Sequence, residues 1–126
     1  MINIPVSIGE LIDKLSILQV KKTKITNQEK LNHILKEFET LYNIASNFLT
    51  DEKIFNLYHE LVFTNSSLWE VEDLLRIQES QKIFDDEFVK LARKVYHLND
   101  ERYRVKTEIN ILTSSDIIEI KEYVEY

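Results

Sequence analysis

Glycine and proline, the residues that most often turn a chain, each occur only once in this 126-residue sequence, as Gly9 and Pro5. Beyond Glu10, nothing therefore forces a tight turn that needs left-handed backbone or a fixed proline φ. Sheets need many such turns, so the scarcity of glycine and proline favours long helices. A chain of this length can bury one core without disulfides or a structural metal. We therefore expect one helical domain over residues 1–126.

Apolar residues recur every three or four positions along four segments, which is the spacing of one buried helical face. The predicted helices span approximately residues 8–25, 27–49, 51–80 and 85–112. Ser7 and Glu10 have the spacing of a capping box at the first start, and Asp51 offers a cap at the third. The connections are short, so consecutive helices should run in opposite directions. The sequence thus predicts an all-α fold, a bundle of about four antiparallel helices.

The two ends of the chain follow a different pattern, because apolar and polar residues alternate at 2–6 and 117–121. Strict alternation is typical of short strands. A two-stranded ribbon joining the termini is therefore predicted, which would hold down segments that otherwise fray.

Cysteine is absent and the formal net charge is −6. The first fact excludes disulfide frameworks and thiolate metal sites and suits a reducing compartment, so we expect a cytoplasmic protein. No stretch approaches the roughly 18 apolar residues of a membrane span. Acidic residues outnumber basic ones over residues 31–90, which would repel a phosphate backbone. We expect neither a membrane nor a nucleic acid as partner.

Arg102 stands within the apolar stripe of the fourth predicted helix. A cation in such a position is strongly destabilising unless it is paired. It needs a carboxylate, a bound anion or a position from which its long side chain brings the guanidinium to water. Glu72 or Asp73 on the third helix could supply the carboxylate.

Acidic residues on the third helix suggest a second kind of chemistry. Glu70 and Asp73 are three positions apart, so they project from one helical face and could share a divalent ion such as Mg²⁺. The alternative is a solvated face on which Glu72 and Arg76 form an ion pair and Trp69 caps the edge of the core. We favour the solvated face, with no cofactor.

A polar stripe runs along the fourth helix beside the apolar one. Its members recur by threes and fours: Tyr96, Asn99, Tyr103, Lys106 and Asn110. Facing inward, this stripe would form a pocket for a small anionic ligand, and facing outward it would be a solvated surface. The candidate catalytic residues are Glu70, Asp73, Asn99, Asp100 and Arg102. The candidate ligand-binding residues are Trp69, Arg76, Tyr96, Tyr103 and Lys106.

Three segments carry a resemblance to a known family: IPVSIGELIDKLSIL (residues 4–18), LWEVEDLLR (68–76) and FDDEFVKLARKVYHLNDERYRVKTEIN (84–110). Together with the closing SSDIIEIKEY, they resemble an uncharacterised family of small helical proteins from bacteria and their phages. The resemblance covers nearly the whole chain. It implies a helical domain and no named activity.

Two classes of function stay open. Long amphipathic helices and interfacial aromatic residues favour a protein that associates with itself or with a protein partner. The alternative is an enzyme similar to the all-α nucleotide pyrophosphohydrolases, which hold magnesium with an E-x-x-E pair and a later E-x-x-D pair. Glu70 and Asp73 resemble one such pair, whereas Asn99, Asp100 and Arg102 do not supply the other.

Overall fold

Four α-helices make up most of the chain in the computed structural model, which describes all residues 1–126. They are α1 (Ile8–Lys24), α2 (Gln28–Leu49), α3 (Glu52–Gln81) and α4 (Asp86–Leu112). No residue belongs to a strand, so the all-α prediction is confirmed. None of the four helices is both long enough and apolar enough to cross a membrane.

Each helix begins where a side-chain oxygen accepts a hydrogen bond from a backbone N–H of the first turn. The four caps are Ser7, Asn27, Asp51 and Asp85. At Ser7 the hydroxyl accepts from the backbone N–H of Glu10 at 3.0 Å. Such caps satisfy amide groups that no helical carbonyl can reach.

Side chains from all four helices form one buried cluster. Its members are Ile12, Leu15, Ala45, Ile54, Leu57, Tyr58, Leu61, Val105 and Ile109. Helix α1 packs against each of the other three helices, whereas α2 and α4 do not touch each other. Helix α3 likewise packs against the other three helices, and α1, the shortest helix, has seven buried residues among its 17.

The two strands predicted at 2–6 and 117–121 are absent, which corrects that prediction. An isolated pair of strands is marginal in water, and Pro5 removes one donor from any ladder. Side chains hold the two ends together instead. The backbone N–H of Ile8 donates to Oγ of Ser115 at 3.1 Å, and that of Gly9 donates to Oδ1 of Asn110 at 2.7 Å.

Helices α3 and α4, with 30 and 27 residues, are longer than α1 and α2, with 17 and 22. With 30 residues against 17, α3 exceeds α1 by about 20 Å at the usual rise per residue. The last residue of α1, Lys24, pairs with Glu70, well before α3 ends. No residue between 72 and 90 is buried. We call residues 72–90, the end of α3, the start of α4 and their connection, the distal hairpin.

Candidate functional site

Two acids on α1 face two bases on α4. Glu10 and Asp13 are three positions apart, and Arg102 and Lys106 are four apart, so each pair lies on one face of its helix. Arg102 pairs with Asp13, and Lys106 pairs with Glu10. These opposed pairs join α1 to α4 beside residues of the buried cluster such as Ile12 and Val105.

The guanidinium of Arg102 binds the Asp13 carboxylate in a bidentate contact. Nε donates to Oδ1 at 2.9 Å and Nη2 donates to Oδ2 at 2.6 Å. The Asp13 side chain is fully buried, while 26% of the Arg102 side chain stays exposed. The hydrogen bonds with Asp13 raise the pKa of Arg102 above its already high ordinary value, so the guanidinium keeps its charge.

Two further groups complete the surroundings of Asp13. The Asn65 amide donates from Nδ2 to Oδ1 of Asp13 at 3.0 Å and to Oγ of Ser16 at 2.8 Å. The Ser16 hydroxyl in turn donates to the backbone carbonyl of Asp13 at 2.6 Å. Because the carboxylate is fully buried and already accepts three hydrogen bonds, it is a structural anchor.

The second base of the site, Lys106, is buried, whereas Arg102 is only half-buried. Its Nζ lies 2.8 Å from Oε2 of Glu10 and 2.6 Å from Oε2 of Glu119, which belongs to the segment after α4. Burial alone would lower the pKa of Lys106, but the hydrogen bonds with Glu10 and Glu119 outweigh it and raise the pKa. Of the two hydrogen bonds of the predicted capping box, only the one from the backbone N–H of Glu10 to Oγ of Ser7 is present. The Glu10 carboxylate pairs with Lys106 instead of the backbone of Ser7.

The segment after α4 covers the polar stripe. The Tyr103 hydroxyl donates to the backbone carbonyl of Glu119 at 3.3 Å, and the Tyr126 hydroxyl donates to Asp100. Lys106 and Asn110 are buried. The end of the stripe that contains Lys106 and Asn110 thus faces inward, where both residues already have protein partners.

Three of the five candidate catalytic residues, Asp73, Asn99 and Arg102, line one groove, whereas Glu70 and Asp100 do not. Asn99 accepts from Nη1 of Arg102 at 3.4 Å, which joins these two. Glu70 is exposed on the outer face of α3, where it pairs with Lys24 at 3.3 Å. Asp100 is exposed beside the C-terminal residue. The carboxyl and imidazole groups of the chain form no cluster of three that could hold a metal ion.

Three of the five candidate ligand-binding residues line a cavity, and these three are divided between two cavities. Trp69 and Arg76 line a groove of about 510 Å³ together with Asp73, Asn99 and Arg102. Tyr96 lines a different cavity of about 880 Å³, between α4 and the C-terminal residues. Tyr103 and Lys106 line neither of these two cavities.

The partner predicted for Arg102 was wrong, because Asp13 and not Glu72 or Asp73 supplies the carboxylate. Glu72 does pair with Arg76, at 3.9 Å. Sequence analysis also missed the roles of Asn65, Ser16 and Glu119. Asp13 could have been found from the sequence, because it is a charged residue beside Ile12 on the buried face of α1. Arg102 has the matching position on α4, where it stands in the apolar stripe.

Comparison with known proteins gives a family without an assigned activity. A family model described as a family of unknown function (DUF6165) matches residues 2–125. No curated protein matches the chain, and no solved structure matches it either. The match covers nearly every residue, including both opposed ion pairs and the covering segment. The chain therefore belongs to this family of unknown function, DUF6165.

Proposed function

We propose that the protein acts by association and that it forms a homodimer through the distal hairpin. One observation carries the proposal: between residues 72 and 90 no side chain is buried, although this stretch is rich in apolar residues. The large apolar side chains left exposed there are Leu74, Ile77, Ile83, Phe84 and Val89. Exposed apolar surface gathered in one place is typical of an interaction site.

The proposed occupant of this surface is a second copy of the chain. Two helices alone cannot enclose a core, whereas two hairpins placed face to face make four helices around one apolar centre. A two-fold arrangement needs no other partner, because each copy presents the same distal hairpin to the other. Self-association thus accounts for an exposed apolar end that a monomer leaves in water.

The proposal includes a direction for the helices. We infer that successive helices alternate, so that the α3–α4 connection lies at the far end of the molecule from Ser7. Glu60, early in α3, pairs at 3.7 Å with Arg104, late in α4. Glu79, late in α3, shares a surface cleft with Phe88, early in α4. These two contacts support opposite directions for α3 and α4.

Light scattering or sedimentation across a dilution series tests the dimer. We expect a dimer mass at micromolar concentration for the parent chain and a monomer mass for Ile77→Glu combined with Val89→Glu. Ile44→Glu is the matched control, since Ile44 is equally exposed but lies on α2. It should stay dimeric.

Salt gives an independent measurement. Acidic residues outnumber basic ones in the distal hairpin, so two hairpins repel each other at low ionic strength. Raising the salt concentration should therefore strengthen the dimer. Two results would refute the proposal: a monomer at every concentration and salt level, or loss of the dimer only in Ile44→Glu. The partner of this surface would then be a different protein.

A further inference from the structure

The groove beside Trp69 is lined by an interior polar residue, Asn65, whose hydrogen-bonding capacity is only partly used. It lies between α1, α3 and α4 and has a volume of about 510 Å³. Ile17, Val20 and Leu68 supply apolar lining, and Trp69 adds an aromatic ring. Asn65, Asn99 and Arg102 add hydrogen-bonding groups. An apolar lining with a few converging polar groups is the usual composition of a small-molecule site.

Asn65 points to a ligand. The residue is only 7% exposed, and both of its hydrogen bonds to Asp13 and Ser16 come from Nδ2. Its Oδ1 accepts no hydrogen bond within the chain and is not sealed from solvent. A nearly buried acceptor on a residue that lines a groove can be satisfied by a donor on a bound molecule.

The charges around the groove argue against an anionic ligand. Asp13 already neutralises Arg102, one of the two cations that line the groove. Among the remaining lining residues, Arg76 is outnumbered by Glu72 and Asp73. A phosphate or carboxylate would therefore enter a site with no net positive charge. The favoured ligand is uncharged.

The polar groups offer both an acceptor and donors. Oδ1 of Asn65 accepts, while the Asn99 amide and the partly exposed Arg102 guanidinium donate. Asparagine amides match the edge of a base that carries a donor beside an acceptor, and indole rings stack on the flat face of such rings. We propose that this groove binds an uncharged nucleobase or nucleoside. Trp69 stacks on the face of the base, and Asn65 and Asn99 form hydrogen bonds with its edge.

Fluorescence of Trp69 tests this directly, because it is the only tryptophan in the chain. The parent protein is titrated with adenosine, guanosine, cytidine and uridine, with excitation at the red edge of the indole band, and calorimetry checks each affinity. We expect saturable binding of at least one nucleoside and weaker binding of its 5′-monophosphate. Inorganic phosphate should produce no change.

Asn99→Leu should weaken nucleoside binding about tenfold, as expected for the loss of one hydrogen bond. Asn47→Leu makes the same change at an exposed position on α2, outside the groove, and should leave the affinity unchanged. Circular dichroism confirms that both variants stay folded. No saturable response to any nucleoside at millimolar concentration, equal affinities for the two variants, or tighter binding of phosphate than of nucleosides would each overturn the proposal.

Discussion

Asp13 and Arg102 are 89 positions apart in sequence and meet through two hydrogen bonds of 2.9 and 2.6 Å, with the carboxylate fully buried. This contact joins the first and last helices of the fold. The carboxylate depends on the guanidinium for its charge balance, while Asn65 supplies its remaining hydrogen bond. The stability of the protein therefore depends on both partners, Asp13 in the first helix and Arg102 in the last.

Replacing Arg102 with methionine should cost about 3–5 kcal/mol in the free energy of unfolding, since it leaves Asp13 buried and unpaired. Adding Asp13→Leu removes the stranded charge, so we expect the double variant to be more stable than Arg102→Met alone. Urea unfolding of the parent, both single variants and the double variant measures this. Additive losses in the double variant would mean that the two side chains are not coupled.

Gly9 occupies a position with no room for a side chain. A Cβ there would lie 2.5 Å from the backbone carbonyl oxygen of Lys106 and 2.8 Å from Oδ1 of Asn110. Gly9→Ala should therefore destabilise the fold by roughly 1–3 kcal/mol, the usual cost of overpacking, although alanine is the better helix former. Lys14→Ala on the exposed side of α1 is the control and should change stability little. A Gly9→Ala variant as stable as the parent in thermal unfolding would show that α1 and α4 can separate freely.

Tyr58 makes stability depend on alkaline pH. Burial, with a smaller contribution from Tyr42, raises the pKa of its hydroxyl from 10.0 to about 12. The folded state thus favours the neutral phenol, and this stabilisation is complete below pH 10 and is lost as the pH rises towards 12. The raised pKa of Lys106 acts in the same direction.

Tyr58→Phe should have near-parental stability at pH 7 and lose less stability than the parent between pH 10 and 12. Tyr123→Phe, at an exposed position, should follow the parent. Urea unfolding at pH 7, 10 and 11.5 makes the comparison. Equal alkaline losses in all three proteins would rule out Tyr58 as the titrating group.

The amino-acid sequence by itself determined the secondary structure. Spacing of apolar residues, capping oxygens such as Ser7 and Asp51, and the near absence of glycine and proline are all local, and a helix depends on contacts within four residues. The same local reasoning failed at 2–6 and 117–121, because a strand exists only when a partner strand is present.

The candidate site was decided by the tertiary structure. The position of Arg102 in an apolar stripe showed that a partner was needed, but helical periodicity does not say which helix supplies it. That choice depended on α1 packing against α4, which brought Asp13 to Arg102 and Glu10 to Lys106. Likewise, Asn65 became part of a groove only because three helices meet there, since burial and charge balance arise from contacts between residues distant in sequence.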